Sequence, residues 1–340
     1  MVGRDKPTAV LIFGGRGMEH EVSRLGAEFV YPLIDENVYE KIPVYIAKDG
    51  RWLMRSDVLS ENLTECFPIL RGGVGGLITE EEFIPVDVAF PLLHGDFGED
   101  GTVQGALECA KIPYVGCDTL TSAVARDKCL VKLIAKELNI PTAEWVEYSG
   151  CIEETVWLLE RLLGYPVFVK PSRLGSSVGA KRADNIDELA SAIENASRLG
   201  SGRVIIEEFV DIEKELECAY YSAAGRILFT APGEIVCDGD FYDFLKKYRS
   251  TGADVSEKAS ISSALTERIT EYSKKLAKRI GLRHLSRIDY FLSKQGRLYF
   301  NEINTMPGFT ERSLYPRLLE KHGIAPKELI GSLLHDARNL

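Results

Sequence analysis

The stretch that decides the fold reads Ser286-Arg-Ile-Asp-Tyr-Phe-Leu292, then Ser293-Lys-Gln-Gly296, then Arg297-Leu-Tyr-Phe-Asn-Glu-Ile-Asn304. It predicts two strands joined by a short turn. Because side chains alternate between the two faces of a strand, Arg287 and Asp289 share one face of the first strand. Glu302 and Asn304 share one face of the second. The hairpin therefore brings two carboxylates and an amide together beside an arginine.

This group of oxygen-bearing side chains has the chemistry of a magnesium site. Hard cations prefer carboxylate and carbonyl oxygens, and such a set can connect one or two ions to nucleotide phosphates. We predict that Asp289, Glu302 and Asn304 are metal ligands and that Arg287 supplies positive charge beside them. The alternative is a hairpin with a solvated polar face and an ordinary salt bridge.

A second stretch has the features of a phosphate-binding loop. In Phe168-Val-Lys-Pro-Ser-Arg-Leu-Gly-Ser-Ser-Val-Gly179, a strand ends at Lys170 and passes into a loop that holds Ser176 and Ser177 between two glycines. Glycines let backbone N–H groups approach phosphate oxygens closely. The spacing matches neither a P-loop nor a dinucleotide-binding turn. A flexible turn without a ligand is the alternative.

A third stretch suggests a place for a purine. Arg203-Val-Ile-Ile-Glu-Glu-Phe-Val210 ends an apolar strand at Glu207, which is followed by the apolar Phe209 and Val210. A polar group next to apolar surface could hold the base. The carboxylate of Glu215 could accept hydrogen bonds from ribose hydroxyls, and its alternative is a solvated loop glutamate.

The composition narrows the classes of protein. The chain has 340 residues, of which 45% are hydrophobic, and a net charge of −10. That charge provides no basic field for nucleic acid or anionic lipid. The sequence contains no apolar stretch of membrane-spanning length and no signal-peptide pattern at its start. We expect a soluble, cytoplasmic protein with no nucleic acid or membrane partner.

The order of apolar runs predicts an α/β (α+β) fold with three units. Strand-like runs at 8–13, 41–46 and 86–90 alternate with helix-like segments, which indicates an N-terminal parallel-sheet domain over residues 1–124. Within it, residues 57–82 are expected to form surface loop. A central unit follows at 125–214 and a C-terminal unit at 215–340, with a lid loop at 238–260.

Five ordered motifs together resemble the D-alanine–D-alanine ligase family of ATP-grasp enzymes, nearly end to end. They are Gly14-Gly-Arg-Gly-Met-Glu-His-Glu-Val-Ser23, His94-Gly-Asp-Phe-Gly-Glu-Asp-Gly-Thr-Val-Gln-Gly105, Lys170-Pro-Ser-Arg-Leu-Gly-Ser-Ser-Val-Gly179, Phe241-Tyr-Asp-Phe-Leu-Lys-Lys-Tyr248 and Asn301-Glu-Ile-Asn-Thr-Met-Pro-Gly-Phe-Thr310. The resemblance implies a three-domain ATP-grasp fold that binds ATP between its central and C-terminal domains.

The resemblance also assigns roles to matching residues. It implies that Glu19 binds the ammonium of the first D-alanine, and that Ser176 and Tyr248 link this glutamate to the lid. His94 and Glu99 would lie near the same substrate, although a histidine there can also simply pack a loop. The implied nucleotide-binding residues are Lys128, Lys170, Ser177, Glu207, Phe209, Val210, Glu215 and Lys247.

The implied reaction is the ATP-dependent joining of two D-alanines through D-alanyl phosphate. Two Mg²⁺ ions, with Mn²⁺ as an alternative, would be held by Asp289, Glu302 and Asn304. Arg287 and the backbone N–H of Gly308 would meet the oxyanion, and Ser313 and Leu314 would border the acceptor. The resemblance further suggests a homodimer.

Two alternatives to this activity stay open. Val115-Gly-Cys-Asp-Thr119 looks like the resistance-type branches of the family, which use D-serine or D-lactate as acceptor. The lid sequence argues against D-lactate, whereas the choice between D-alanine and D-serine depends on a few atoms. A protein that binds ATP without catalysis is the other alternative, and its expected mark, the loss of a metal ligand or phosphate-binding lysine, is absent from the sequence.

Overall fold

The computed structural model describes residues 6–199, 202–236 and 254–340. Its first sheet has five strands in the order β4-β3-β2-β1-β8, and β1 pairs in parallel with both β2 and β8. Helices α1 (His20–Val30) and α2 (Thr102–Cys109) pack on this sheet. Its strands are β1 (Thr8–Gly14), β2 (Glu40–Ile46), β3 (Trp52–Arg55), β4 (Leu63–Glu65) and β8 (Val88–Pro91).

Strand β1 is buried on both faces, as expected for the centre of a parallel sheet. Ala9, Leu11 and Phe13 belong to one hydrophobic cluster, and Val10 and Ile12 belong to another on the opposite face. The predicted parallel-sheet character of the N-terminal unit is confirmed. Strands β3 and β4 extend the sheet in the antiparallel direction.

The prediction of surface loop over residues 57–82 is wrong. Besides β4, this segment contains β5 (Phe67–Arg71) and β6 (Val74–Ile78), which form an antiparallel three-stranded sheet with β7 (Phe83–Pro85). Gly72 and Gly73 take positive φ at the turn between β5 and β6. All of β5 except one residue is exposed, so no apolar alternation marks it as a strand.

The central unit is built on an antiparallel four-stranded sheet in the order β11-β10-β12-β9. Its core is a single cluster of apolar residues from 146 to 206. The strands are β9 (Trp145–Glu147), β10 (Val167–Pro171), β11 (Lys181–Ala183) and β12 (Val204–Glu208), and the helices of this part of the chain are α3 (Thr119–Arg126), α4 (Lys128–Glu137), α5 (Ile152–Leu162) and α6 (Ile186–Leu199).

The C-terminal unit is built on an antiparallel six-stranded sheet in the order β16-β15-β13-β17-β18, with β14 paired to β13. Its strands are β13 (Ile212–Ala223), β14 (Arg226–Phe229), β15 (Gly233–Val236), β16 (Asp254–Ser256), β17 (His284–Ser293) and β18 (Leu298–Asn304), and its helices are α7 (Ser263–Ile280), α8 (Leu314–Lys321) and α9 (Pro326–Arg338). Because β16 is paired with β15, residues 254–256 are strand rather than part of the predicted lid loop. Residues 238–253 of that loop lie outside the described residues.

The units share their cores. Helices α8 and α9 supply apolar residues to the cluster that contains Leu11 and Phe90 of the first sheet. Helix α4 supplies Val131 and Ala135 to the cluster under the six-stranded sheet, although its sequence position lies in the central unit. The predicted domain limits after residues 124 and 214 stay predictions, and both fall inside regular elements, α3 and β13.

None of the helices within residues 6–199, 202–236 and 254–340 has the length and apolar character needed to cross a membrane.

Candidate active site

The hairpin of β17 and β18 brings the four predicted polar residues together. Arg287 lies opposite Asn304, and Asp289 lies opposite Glu302 in the ladder. The Arg287 guanidinium donates to both oxygens of Asp289, Nε to Oδ1 at 2.8 Å and an Nη to Oδ2 at 2.7 Å. Asn304 donates from Nδ2 to the same Oδ2 at 2.9 Å. The bidentate geometry fixes the planes of both charged groups.

The donor set fits a hard divalent cation only in part. Asp289 and Glu302 supply carboxylate oxygens and Asn304 an amide oxygen, which are ligand types that Mg²⁺ accepts. Mg²⁺ takes six ligands, so oxygens from another molecule would complete the set. In the part of the chain that the structure describes, no group of three or more His, Cys, Asp or Glu residues is arranged to hold a metal ion. Magnesium binding therefore stays a proposal.

The loop after β10 carries two residues in a strained backbone conformation. Ser176 and Ser177 have φ of 53° and 58°, which L-residues other than glycine seldom adopt. Such strain is common where a loop is shaped for a ligand. Lys128 at the start of α4 donates from Nζ to the carbonyl of Leu174 at 2.7 Å and also lies 3.0 Å from Oε2 of Glu302. Lys128 thus connects this loop to the β17–β18 hairpin.

Glu207, near the end of β12, lies between two lysines. Lys170 Nζ is 2.8 Å from its Oε2, and Lys132 Nζ is 2.5 Å from its Oε1. Burial alone would raise the pKa of Glu207, but the two ammonium groups outweigh burial and lower it to about 2. The side chain of Lys132 is only 1% exposed. Glu207 therefore stays ionised and keeps both cations in place.

A cavity of about 970 Å³ lies between the four-stranded and six-stranded sheets. It is large enough for a nucleotide, since small-molecule sites commonly span about 300–1,000 Å³. Arg182 stacks over the ring of Phe209 at 4.5 Å on its wall. Glu215 reaches it from strand β13 and not from a loop, contrary to the alternative of a loop glutamate. Ten of the predicted site residues line it: Lys128, Lys170, Ser176, Ser177, Glu207, Phe209, Val210, Glu215, Asp289 and Glu302.

Glu19 lines a second, smaller cavity, together with Gly175 and Ser176 of the loop after β10. The Ser176 hydroxyl donates to Oε1 of Glu19 at 2.7 Å. A side chain at Gly95 would collide with Oε2 of Glu19, so only glycine allows this approach. Glu19 is the residue before α1, at the carboxyl end of the parallel sheet, where α/β folds commonly bind ligands.

His94 and Glu99 are buried together in the loop that follows β8. His94 Nδ1 is 3.0 Å from the carbonyl oxygen of Met306. Glu99 accepts from the Gly95 N–H at 2.8 Å and from the Met306 N–H at 3.1 Å. The pKa of Glu99 is raised, mainly by burial. The loop after β18 is thereby attached to the first sheet through Met306.

The predicted acceptor-side residues also lie together. Ser313 precedes α8, and its Oγ accepts from the Thr310 N–H at 2.9 Å. A Cβ placed on Gly308 would lie 3.0 Å from that oxygen. Leu314 is buried at the start of α8. Gly308 and Ser313 therefore lie close together in the segment after β18, and Leu314 directly follows Ser313.

Two of the predicted site residues belong to the predicted lid loop. Lys247 and Tyr248 lie outside the described residues. The sequence reasoning also missed buried residues that contact the site, namely Arg126, Lys132 and Met306. The sequence could have indicated Lys132, because it lies four positions after Lys128 and therefore on the same face of the helix. No sequence pattern indicated Arg126 or Met306, because their contacts are with loops distant in sequence.

Comparisons with known proteins identify the family of the chain. The family model described as D-ala D-ala ligase N-terminus matches residues 8–117, and the one described as D-ala D-ala ligase C-terminus matches residues 134–335. The D-alanine–D-alanine ligase of Acetivibrio thermocellus is 36% identical over 97% of this chain and 95% of its own length. D-alanine–D-alanine ligase A of Mesorhizobium japonicum is 36% identical over 98% of each chain.

Solved structures give the same result. The VanG D-Ala:D-Ser ligase from Enterococcus faecalis superposes with a TM-score of 0.89 at 32% identity, covering 98% of this chain and all of that one. The D-alanine–D-alanine ligase from Coxiella burnetii gives a TM-score of 0.86 at 27% identity, over 99% of this chain and 95% of that one. The protein is an ATP-dependent ligase with the ATP-grasp fold. It belongs to the D-alanine–D-alanine ligase family.

Proposed function

We propose that the protein joins two D-alanine molecules with ATP and Mg²⁺, through a D-alanyl phosphate intermediate, to supply D-alanyl-D-alanine for peptidoglycan precursors. One contact supports this most directly. The hydrogen bond between Ser176 and Glu19 joins a carboxylate suited to an amino acid ammonium to the loop that lines the large cavity. A nucleotide and an amino acid bound on the two sides of Ser176 would be adjacent.

In the first step, a carboxylate oxygen of the first D-alanine forms a bond to the γ-phosphorus of ATP as the bond to ADP breaks. Phosphoryl transfer depends mainly on positioning and on charge stabilisation. Lys128 and Lys170 would hold the phosphates, and Glu19 would hold the ammonium. Bound magnesium, on Asp289, Glu302 and Asn304, would neutralise charge on the phosphate oxygens.

In the second step, the amine of the second D-alanine attacks the acyl carbon, and phosphate leaves as the amide forms. The attacking nitrogen loses one proton, which the departing phosphate takes up. Arg287 and the backbone N–H of Gly308 would stabilise the oxyanion, and Ser313 would lie beside the acceptor. This chemistry requires no nucleophile from the protein.

The test is an incubation of purified protein with Mg-ATP and D-alanine, with phosphate release and product mass as readouts. We expect phosphate and D-alanyl-D-alanine in equal amounts. L-alanine serves as the matched control and should release little phosphate. Phosphate release that no D-amino acid stimulates would rule out the proposed substrate.

A second candidate is D-alanyl-D-serine formation, which the similarity to the VanG D-Ala:D-Ser ligase favours. Mixing D-alanine with excess D-serine distinguishes the two. If D-alanyl-D-alanine dominates by mass, the first proposal holds. If D-alanyl-D-serine dominates, the same chemistry serves a different acceptor.

The proposal extends to a homodimer that acts in the cytoplasm, where ATP is supplied. Edge strand β5 exposes Phe67 and Ile69, and exposed apolar edges favour pairing with another chain. Light scattering should give twice the mass of one chain, and Phe67→Lys should reduce that mass if this edge takes part. Cell fractionation tests the compartment.

A further inference from the structure

Arg126, the last residue of α3, lines the smaller cavity beside Glu19 and has no role in the function proposed above. Its side chain is only 9% exposed. Arginine is seldom buried to this extent unless opposite charges and hydrogen bonds compensate the loss of water. The position of this cation therefore needs an explanation from its surroundings.

The guanidinium of Arg126 connects two loops from different sheets. One Nη donates to Oδ1 of Asp96 at 3.3 Å, and the other lies 3.5 Å from Oε2 of Glu99. Asp96 and Glu99 are in the loop after β8. On the opposite side, a Cβ on Gly175 would lie 3.1 Å from an Nη of Arg126, so the loop after β10 passes directly over the guanidinium.

The guanidinium of Arg126 also lies near several carboxylate side chains. Glu19, Asp96 and Glu99 all interact electrostatically with Arg126. Burial raises the pKa of Glu99 and so favours its protonated form, and Arg126 is the strongest influence in the opposite direction. Two further titratable neighbours act on Glu99: Glu19, which raises its pKa, and His94, which lowers it.

Glu99 matters to the smaller cavity because its two carboxyl oxygens accept from the backbone N–H groups of Gly95 and Met306. Gly95 is the residue whose lack of a side chain makes room for Glu19. A protonated Glu99 would accept these hydrogen bonds less well. Within the described part of the chain, Nε of Arg126 is buried without a hydrogen-bond partner, so the guanidinium is held by its charge contacts and not by a full set of hydrogen bonds.

We propose that Arg126 is a positioning residue for the first substrate: it supplies the positive charge opposite Glu99 and keeps the loop after β8 against the loop after β10, so that Glu19 and Ser176 stay in contact. The substrate class is an amino acid that presents its ammonium to Glu19. This inference rests on the proposed function.

The test compares Arg126→Met with Arg126→Lys and with the exposed control Arg268→Met. We expect Arg126→Met to raise KM for the first D-alanine at least tenfold. It should also move the acid limb of the pH profile of kcat/KM to higher pH. Arg126→Lys keeps a positive charge and should retain an acid limb near that of the unaltered protein. Arg268→Met should match the unaltered protein in both measurements.

A second measurement does not depend on activity. Amide hydrogen exchange in Arg126→Met should accelerate in both loops, at residues 94–100 and 174–178. If the variant merely unfolds at lower temperature, with KM, acid limb and loop exchange unchanged below that temperature, the positioning role is wrong. If the unaltered protein releases no phosphate with D-alanine, the proposed function fails, and loop exchange alone still decides whether Arg126 holds the two loops together.

Discussion

The hydroxyl of Ser176 donates to Oε1 of Glu19 across 2.7 Å, although the two residues are 157 positions apart in the sequence. Glu19 precedes the first helix of the N-terminal sheet, and Ser176 belongs to a loop of the central sheet. The contact therefore joins the two parts of the molecule that the proposed reaction must bring together. Its loss is expected to affect catalysis more than folding.

Glu19→Gln should lower kcat/KM for D-alanine by about 10- to 100-fold. A hydrogen bond to a charged group contributes about 1.5–3 kcal/mol, and each 1.4 kcal/mol is a factor of ten. Phosphate release at limiting D-alanine measures the change. Glu21→Gln, at an exposed residue two positions later, is the control. Equal effects of the two substitutions would contradict a specific role for Glu19.

Lys132→Met should lower the free energy of unfolding by about 3–5 kcal/mol at neutral pH. Removal of one partner from a buried ion pair leaves the other charge poorly compensated, and Glu207 would retain only Lys170. Urea denaturation gives the value. Lys136→Met, on the same helix with a side chain that is 70% exposed, should change it by less than about 1 kcal/mol. A small effect at position 132 would mean that the pair adds little to stability.

The stability of the protein should fall as pH decreases from about 6.5 to 4, and part of this fall is expected from His284. Burial is the main cause that lowers the pKa of His284 to about 4. The unfolded chain therefore binds a proton in this range that the folded protein does not bind, which destabilises the fold by roughly 3 kcal/mol across the window. Above pH 6.5 this contribution is fully retained.

His284→Asn tests the origin of this pH dependence. Asparagine tolerates the positive φ of 61° at this position better than most residues. The variant should lose less stability than the unaltered protein between pH 6.5 and 4, as measured by denaturation at each pH. His335→Asn, an exposed control, should leave the pH dependence as it is. An unchanged slope in His284→Asn would assign the pH dependence to other groups.

Asp289→Asn should raise the Mg²⁺ concentration needed for half-maximal phosphate release by at least tenfold. The substitution removes one of the two carboxylates proposed to bind the ion and also the partner of Arg287. A titration of MgCl₂ at fixed ATP gives the value, and removal of magnesium with EDTA should abolish activity. Asp187→Asn, exposed on α6, is the control. An unaltered magnesium requirement would show that Asp289 is not a ligand.

Much of the site could be predicted because its residues lie on regular strands or in short loops. The alternation in 286–304 determined which side chains share a face, and the observed register pairs Asp289 with Glu302. Strand β5 could not be predicted, since its side chains are exposed on both faces and carry no period of two. Strand β5 is joined to β6 by the turn at Gly72 and Gly73, and a glycine-rich sequence is equally compatible with a surface loop.

Buried charges were the second class of feature that sequence reasoning did not find. Lys132 and Arg126 are of types that are usually exposed, and their burial follows from packing between sheets. Nothing local in the sequence distinguishes them from surface cations. Only the folded structure shows that Lys132 and Arg126 contact carboxylates from segments distant in sequence.

The packing of α8 and α9 against the first sheet has a consequence for folding during synthesis. Strand β1 leaves the ribosome early, but Leu329 and Leu333, which cover one face of that sheet's core, are added more than 300 residues later. Helix α1 covers part of that apolar face early, and the rest is covered only after translation has passed α9. Until then, the exposed part of this face is a place where a nascent chain can aggregate.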